Sequence, residues 1–155
     1  MDLLLRHASV VDGTGGSARA AEVAIDGDRI AAVAPPGELV PGAGTQVVDL
    51  DGLTLAPGFI DIHTHYDAQI LWDGDLTPSN WHGVTSVVMG NCGFGVAPTR
   101  TEHRETIVRT LENVEGMSMD ALDQGIDWCF ETFPEYLAAV DQRAGSGRRH
   151  IDGWL

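Results

Sequence analysis

The stretch Gly58-Phe59-Ile60-Asp61-Ile62-His63-Thr64-His65 governs how the remainder of the chain is read. It follows Pro57, and its apolar character predicts a buried strand over residues 59–65. Side chains two apart in a strand share a face, so His63 and His65 project the same way from its C-terminal end. Two neutral imidazoles on one face supply the first two ligands of a divalent cation. The alternative is a pair of histidines hydrogen-bonded at a strand end, which leaves the crowding of two polar rings unexplained. Asp61 lies on the same face and is placed to orient a ligand from behind.

Working toward the C-terminus, Val84-Thr85-Ser86-Val87-Val88-Met89 predicts a second strand, and residues 78–81 a short helical turn before it. Cys92 follows within Met89-Gly90-Asn91-Cys92-Gly93-Phe94-Gly95. If the two strands are parallel neighbours, their C-terminal ends meet, and a Cys92 thiolate joins the two imidazoles around one metal. The bland reading of Cys92 is a buried structural thiol. Residues 101–115 predict a helix with Ile107, Val108, Leu111 and Val114 on one face. Thr99 and Glu102 are spaced as a capping box ahead of it, and Thr132 and Glu135 as a second box opening a helix through about Val140. Glu102, Glu105, Glu112 and Glu115 read as a solvated helix face. Strand, helix, strand, helix is the pattern of a parallel α/β sheet.

Working toward the N-terminus, short apolar runs at residues 3–11, 22–25, 29–33, 46–50 and 53–56 predict strands. Asp26-Gly27 and Asp51-Gly52 are hairpin signals between them, because glycine accepts positive φ. Pro35-Pro36-Gly37 and Pro41-Gly42-Ala43-Gly44 mark a loop that neither helix nor ladder tolerates. The expectation is a small, mostly antiparallel β layer.

Composition narrows the function. The 155-residue chain carries a formal net charge of −14, which disfavours nucleic acid and anionic membrane surfaces as partners. Every basic residue is Arg, so no Schiff-base or P-loop lysine lies within these residues. Two cysteines are too few for a disulfide framework, and no apolar run approaches membrane-spanning length, so a soluble cytoplasmic protein is expected. Gly13-Thr14-Gly15-Gly16-Ser17-Ala18 fits a dinucleotide fingerprint in form, but Asp26-Gly27-Asp28 interrupts any helix after it, and a plain loop is expected. Asp73-Gly74-Asp75 lacks the further oxygen ligands of a calcium loop and reads as a turn. His7, His82, His103 and Cys129 belong to no constellation.

Residues 58–65 resemble the first barrel strand of the amidohydrolase superfamily, metal-dependent hydrolases on a (β/α)8 barrel. The segment from Leu76-Thr77-Pro78 through Trp81-His82-Gly83-Val84 to Met89-Gly90-Asn91-Cys92-Gly93 resembles the N-acyl-D-amino-acid deacylase branch more specifically. Glu131-Thr132-Phe133-Pro134-Glu135-Tyr136-Leu137 matches that branch as well. The resemblance runs from about Asp2 to Asp141. It implies a fold in which residues 1–56 form part of a β-sandwich and residues 57–142 supply the first βα units of an incomplete metal-dependent (β/α)8 barrel. It also implies that His63, His65 and Cys92 are metal ligands, that the cofactor is one or two zinc ions, and that the substrate is a small N-acyl amino acid. The reaction implied is hydrolysis of a non-peptide amide C–N bond by metal-activated water. No residue here corresponds to the general-base Asp or to the family's later histidine ligands.

A (β/α)8 barrel takes about 250 residues. The expectation is therefore an N-terminal piece of a longer enzyme, with either the missing barrel portion or self-association through open sheet edges as its partner. Residues 143–155, with three Arg against one Asp, match nothing in the resemblance and suggest a frame change or premature stop near Arg143. The competing reading is a non-catalytic zinc-binding or interaction fragment without turnover.

Overall fold

The computed structural model describes residues 1–143; the rest of the unmatched tail lies outside the described residues. The chain divides into two compact units, Met1–Pro57 and the residues from Gly58 onward.

The first unit is one five-stranded sheet of β1 (Leu3–Val10), β2 (Arg19–Asp26), β3 (Arg29–Ala34), β4 (Gln46–Asp49) and β5 (Thr54–Leu55). β1, β2 and β3 form an antiparallel meander, the last two joined across Asp26-Gly27 as expected. The second hairpin does not form. β4 and β5 both run parallel to β1, β4 beside Leu3–Arg6 and β5 beside Ser9–Val10, so the sheet is mixed. Asp51 and Gly52, with φ of 48° and 80°, make a jog rather than a reversal.

The reason lies in β1. Leu5 pairs with Val23 but Ala8 pairs with Ala21, so β1 carries one extra residue there. The bulge puts His7 in the left-handed region at φ 53°, and its carbonyl accepts the Gly52 N–H at 2.7 Å. The jog on one side of β1 thus answers the bulge on the other. Because of the bulge, Leu5 shares a face with Ala8 and Val10, and that face packs with Ala21, Val23 and Ile25. On the opposite face the buried Glu22 carboxylate lies 3.2 Å from the Arg6 guanidinium. Both are tied to Leu39 of the proline-rich loop, Arg6 to its carbonyl and Glu22 to its N–H. The loop after β1 that holds Gly13 and Gly15 leads into a strand, not a helix, so the dinucleotide form is a plain loop.

The second unit begins with β6 (Phe59–Thr64), followed by α1 (Tyr66–Gln69), a 3-10 turn at Ser79–His82 and β7 (Val84–Met89). β6 and β7 pair in parallel, as the βα spacing requires. After them come a 3-10 turn at Thr101–His103, α2 (Arg104–Glu115), α3 (Met119–Gly125) and α4 (Phe133–Arg143). The core sits among the helices, where Ile70, Val96, Leu111, Leu122 and Phe130 are fully enclosed. Phe130 meets Tyr136 edge-on at 5.2 Å.

β6 is not the buried strand its composition predicts. Phe59, Ile60 and Ile62 are each about two-thirds exposed or more (68%, 66% and 71%), because β7 is the one strand that covers β6 among the described residues. The two strands approach closely at their start. A Cβ on Gly58 would lie 2.1 Å from Thr85 Oγ1 and 2.7 Å from Thr85 Cβ, so only glycine fits.

The helix ends also depart from expectation at one of two places. The Thr132–Glu135 box forms: Thr132 Oγ1 accepts the Glu135 N–H at 3.4 Å, and the Glu135 carboxylate accepts the Thr132 N–H at 2.9 Å. The Thr99–Glu102 box does not. Glu131 reaches over instead, accepting the Thr101 N–H and hydroxyl. α3 is an element sequence reasoning missed, although Ser118 accepting the Ala121 N–H at 3.1 Å is an ordinary N-cap signal.

Candidate metal centre

The C-terminal ends of β6 and β7 bring His63, His65 and Cys92 together. One ligand atom from each lies within 4.8 Å of the others. The two imidazole rings stand 5.6 Å apart, tilted by 43°. His63 is exposed, while His65 and the free Cys92 thiol are half-buried.

This convergence needs more than the ladder. The β6–β7 register slips between Asp61 and Thr64, where the two histidines begin. Side chains take over there. Thr64 Oγ1 donates to the Val88 carbonyl at 2.9 Å, and Asn91 Nδ2 donates to the Ile62 carbonyl at 2.8 Å. Each tie joins a neighbour of a histidine to the approach of Cys92. Asp61 accepts the His63 backbone N–H at 3.2 Å, so its contact is with the main chain carrying the ligand rather than with the ring.

Two acidic groups at the site were not singled out by sequence. Glu115, read as part of a solvated face, stands at the end of α2 with its carboxylate 3.2 Å from His65 Nε2 and is largely shielded. The signal was available in part, since Glu115 is the last residue of a helix whose apolar face points into the unit. Asp67, two positions past His65, is 4% exposed. Its Oδ2 accepts the Val96 N–H at 2.8 Å, and its Oδ1 is buried with no partner. Burial pushes the Asp67 carboxyl above the usual range, opposed by the Val96 amide. The Tyr136 hydroxyl donates to the Asp67 carbonyl at 2.9 Å, and burial raises that phenol well above its ordinary value.

The remaining candidates stay apart from this cluster. His7 bonds Asp49 at 2.9 Å in the first unit, and Asp73 closes a turn by accepting the Thr77 N–H at 2.8 Å. His82, His103 and Cys129 are exposed. No helix among the described residues is long and apolar enough to cross a membrane.

With this geometry in hand, the chain can be placed. It belongs to the amidohydrolase family, whose model matches residues 46–151. It is 40% identical over 139 residues to D-aminoacylase of Alcaligenes xylosoxydans xylosoxydans, covering 90% of this chain and 26% of that protein. A solved D-aminoacylase, studied for the role of its binuclear metal center, superposes with a TM-score of 0.68 at 34% identity, across 98% of this chain and 28% of its own. N-acyl-D-glutamate deacylase from Bordetella bronchiseptica, complexed with zinc and a phosphonate inhibitor, gives a TM-score of 0.67 at 31% identity over the same shares. The chain spans about a quarter of the length of the relatives it matches.

Proposed function

We propose that this chain supplies the first metal-holding strands of an N-acyl-D-amino-acid deacylase-like amidohydrolase, acting on non-peptide amide C–N bonds of small N-acyl amino acids. The observation that carries the reading is the convergence of His63, His65 and Cys92 at adjacent parallel strand ends. Two imidazoles and a thiolate are a donor set suited to zinc, of which the site and its relatives point to one or two ions. His63 and His65 hold the ion through neutral ring nitrogens, and Cys92 through its deprotonated sulfur. When bound, such a cation polarises an acyl carbonyl and lowers the pKa of the attacking water.

The chain's own residues do the holding and orienting. Asp61 fixes the His63 backbone, and the Glu115 carboxylate, 3.2 Å from His65 Nε2, would steady the His65 ring. In this reading the five-stranded sheet is one portion of a composite β-sandwich. β6 and β7 open a (β/α)8 barrel, and further strands bring the general-base aspartate and the groups that read the substrate carboxylate. The exposed Phe59, Ile60 and Ile62 are the surface such strands cover.

The test is zinc content of the purified chain beside Cys92→Ser, with assays on N-acyl-D-amino acids run on the chain alone and with the remaining barrel of a relative added in trans. About one zinc per chain, lost in the variant, supports the half-site. Turnover only with the added barrel supports the division of labour. A folded chain that binds no zinc, or the same zinc without Cys92, counts against the reading.

A further inference from the structure

Cys92 is the weak point of the proposed half-site. His63 and His65 sit at the end of one strand, two positions apart, whereas Cys92 lies in a glycine-rich loop beyond the other strand, with Gly90 and Gly93 both at positive φ. Such a loop has much conformational freedom to lose, and a thiolate on it is worth little as a ligand unless something holds it. Asn91 ties the loop's near side to Ile62. On the far side the buried Asp67 Oδ2 accepts the Val96 N–H at 2.8 Å.

We propose that Asp67 is the positioning residue that sets Cys92 against the two histidines. Asp67 lies two residues past His65, and Val96 four residues past Cys92, so this bond and the Asn91–Ile62 bond together close a ring of chain, residues 62–67 and 91–96, that contains all three ligands. Asp67 is itself enclosed. It is buried in α1, its backbone carbonyl takes the Tyr136 hydroxyl of α4, and Val96 is fully enclosed. Burying a carboxylate with one oxygen unpartnered is costly, and the Oδ1 of Asp67 is in that position. A buried acceptor kept at such a cost, beside a loop that needs an anchor, is accounted for by the anchoring. The inference rests on the metal reading only for its consequence, since the Asp67–Val96 hydrogen bond involves none of the three ligand side chains.

The experiment uses the full chain, with Cys129→Ser so that Cys92 is the reporting thiol. Asp67→Asn keeps an oxygen for the Val96 N–H; Asp67→Leu and Asp67→Ala do not. In the metal-free chain, alkylation of Cys92 is expected to accelerate at least several-fold in Leu and Ala and to stay within about twofold in Asn. Cobalt titration is the second readout. The thiolate-to-cobalt charge-transfer band is expected in the parent and in Asn, and is lost or weakened at least tenfold in apparent affinity in Leu and Ala. Far-UV circular dichroism accompanies every variant, and if Leu and Ala fail to fold, a Cys92 alkylation rate in Asn raised as far as in urea overturns the clamp. Parent-like alkylation in folded Leu or Ala also overturns it, whatever cobalt does. A parent that takes up cobalt without the thiolate band overturns the metal reading and leaves the clamp supported or refuted by alkylation alone.

Discussion

Gly58→Ala is a severe change for a single methyl group. The new Cβ falls 2.1 Å from Thr85 Oγ1, 2.2 Å from Thr85 Cγ2 and 2.7 Å from Thr85 Cβ. Rotating the threonine removes the first two clashes but not the third, because Cβ is fixed by the backbone. The strands must therefore part at the start of β6, where Phe59 pairs with Val84. Overpacking of this kind costs about 1–3 kcal/mol. Thr85→Gly alone should cost about 1 kcal/mol through lost strand preference and backbone entropy. The double variant removes the clash altogether, so its cost should fall below the sum of the singles by more than 1 kcal/mol, an interaction typical of side chains in direct contact. Urea unfolding followed by tryptophan fluorescence suits the question, since Trp72, Trp81 and Trp128 lie in the unit concerned and residues 1–57 hold no tryptophan. Zinc binding by each variant shows whether the parting propagates to His63 and His65. Additive costs, or a Gly58→Ala chain as stable as the parent, refute the close-approach argument.

Three further outcomes follow from the same structure. Phe130→Ala empties a site that is 1% exposed and flanked by Trp128 and Tyr136, and should destabilise the second unit by about 3–5 kcal/mol in the same urea assay. Hydrogen bonds from the Thr132 and Glu131 N–H groups hold the Glu135 carboxyl below its usual range. A pKa depressed by folding adds stability that is present above the ordinary glutamate pKa and lost as pH falls through the depressed value, so Glu135→Gln should flatten the acid limb of a pH–stability profile. Glu115→Gln should weaken cobalt or zinc affinity by about 10-fold or more by loosening the His65 ring, while an exposed control such as Glu105→Gln leaves it unchanged.

The parts of the molecule legible in sequence were those set by local chemistry. The His-x-His at a strand end, the Asp26-Gly27 reversal and the Thr132–Glu135 box depend on residues a few positions apart, and Cys92 reaches the histidines because the intervening βα spacing makes the two strands parallel neighbours. What was not legible depends on distant partners. Asp51-Gly52 has the backbone for a hairpin, yet its direction is decided by a bulge at His7 more than forty residues earlier. Glu115 occupies a helix position that reads as solvated until His65 arrives beside it from another element. Thr99 lost its capping role to Glu131 for the same reason. Apolar content predicted a buried β6, but burial is a property of neighbours, and β7 supplies one flank.

The placement of β1 has a kinetic consequence. Leu3 pairs with Ile25 on one side and with Gln46 on the other, and Val10 with Arg19 and Leu55. The meander side closes short loops and can assemble early, whereas the β4 and β5 side must wait for the chain to return across the proline-rich loop, a closure with a larger entropic cost. In synthesis order the partner of the Leu3–Arg6 flank arrives with β4 and that of the Ser9–Val10 flank with β5, both after the meander is complete. The Gly52 N–H bond to the His7 carbonyl joins residues forty-five positions apart, so it belongs to the longer-range half of the sheet.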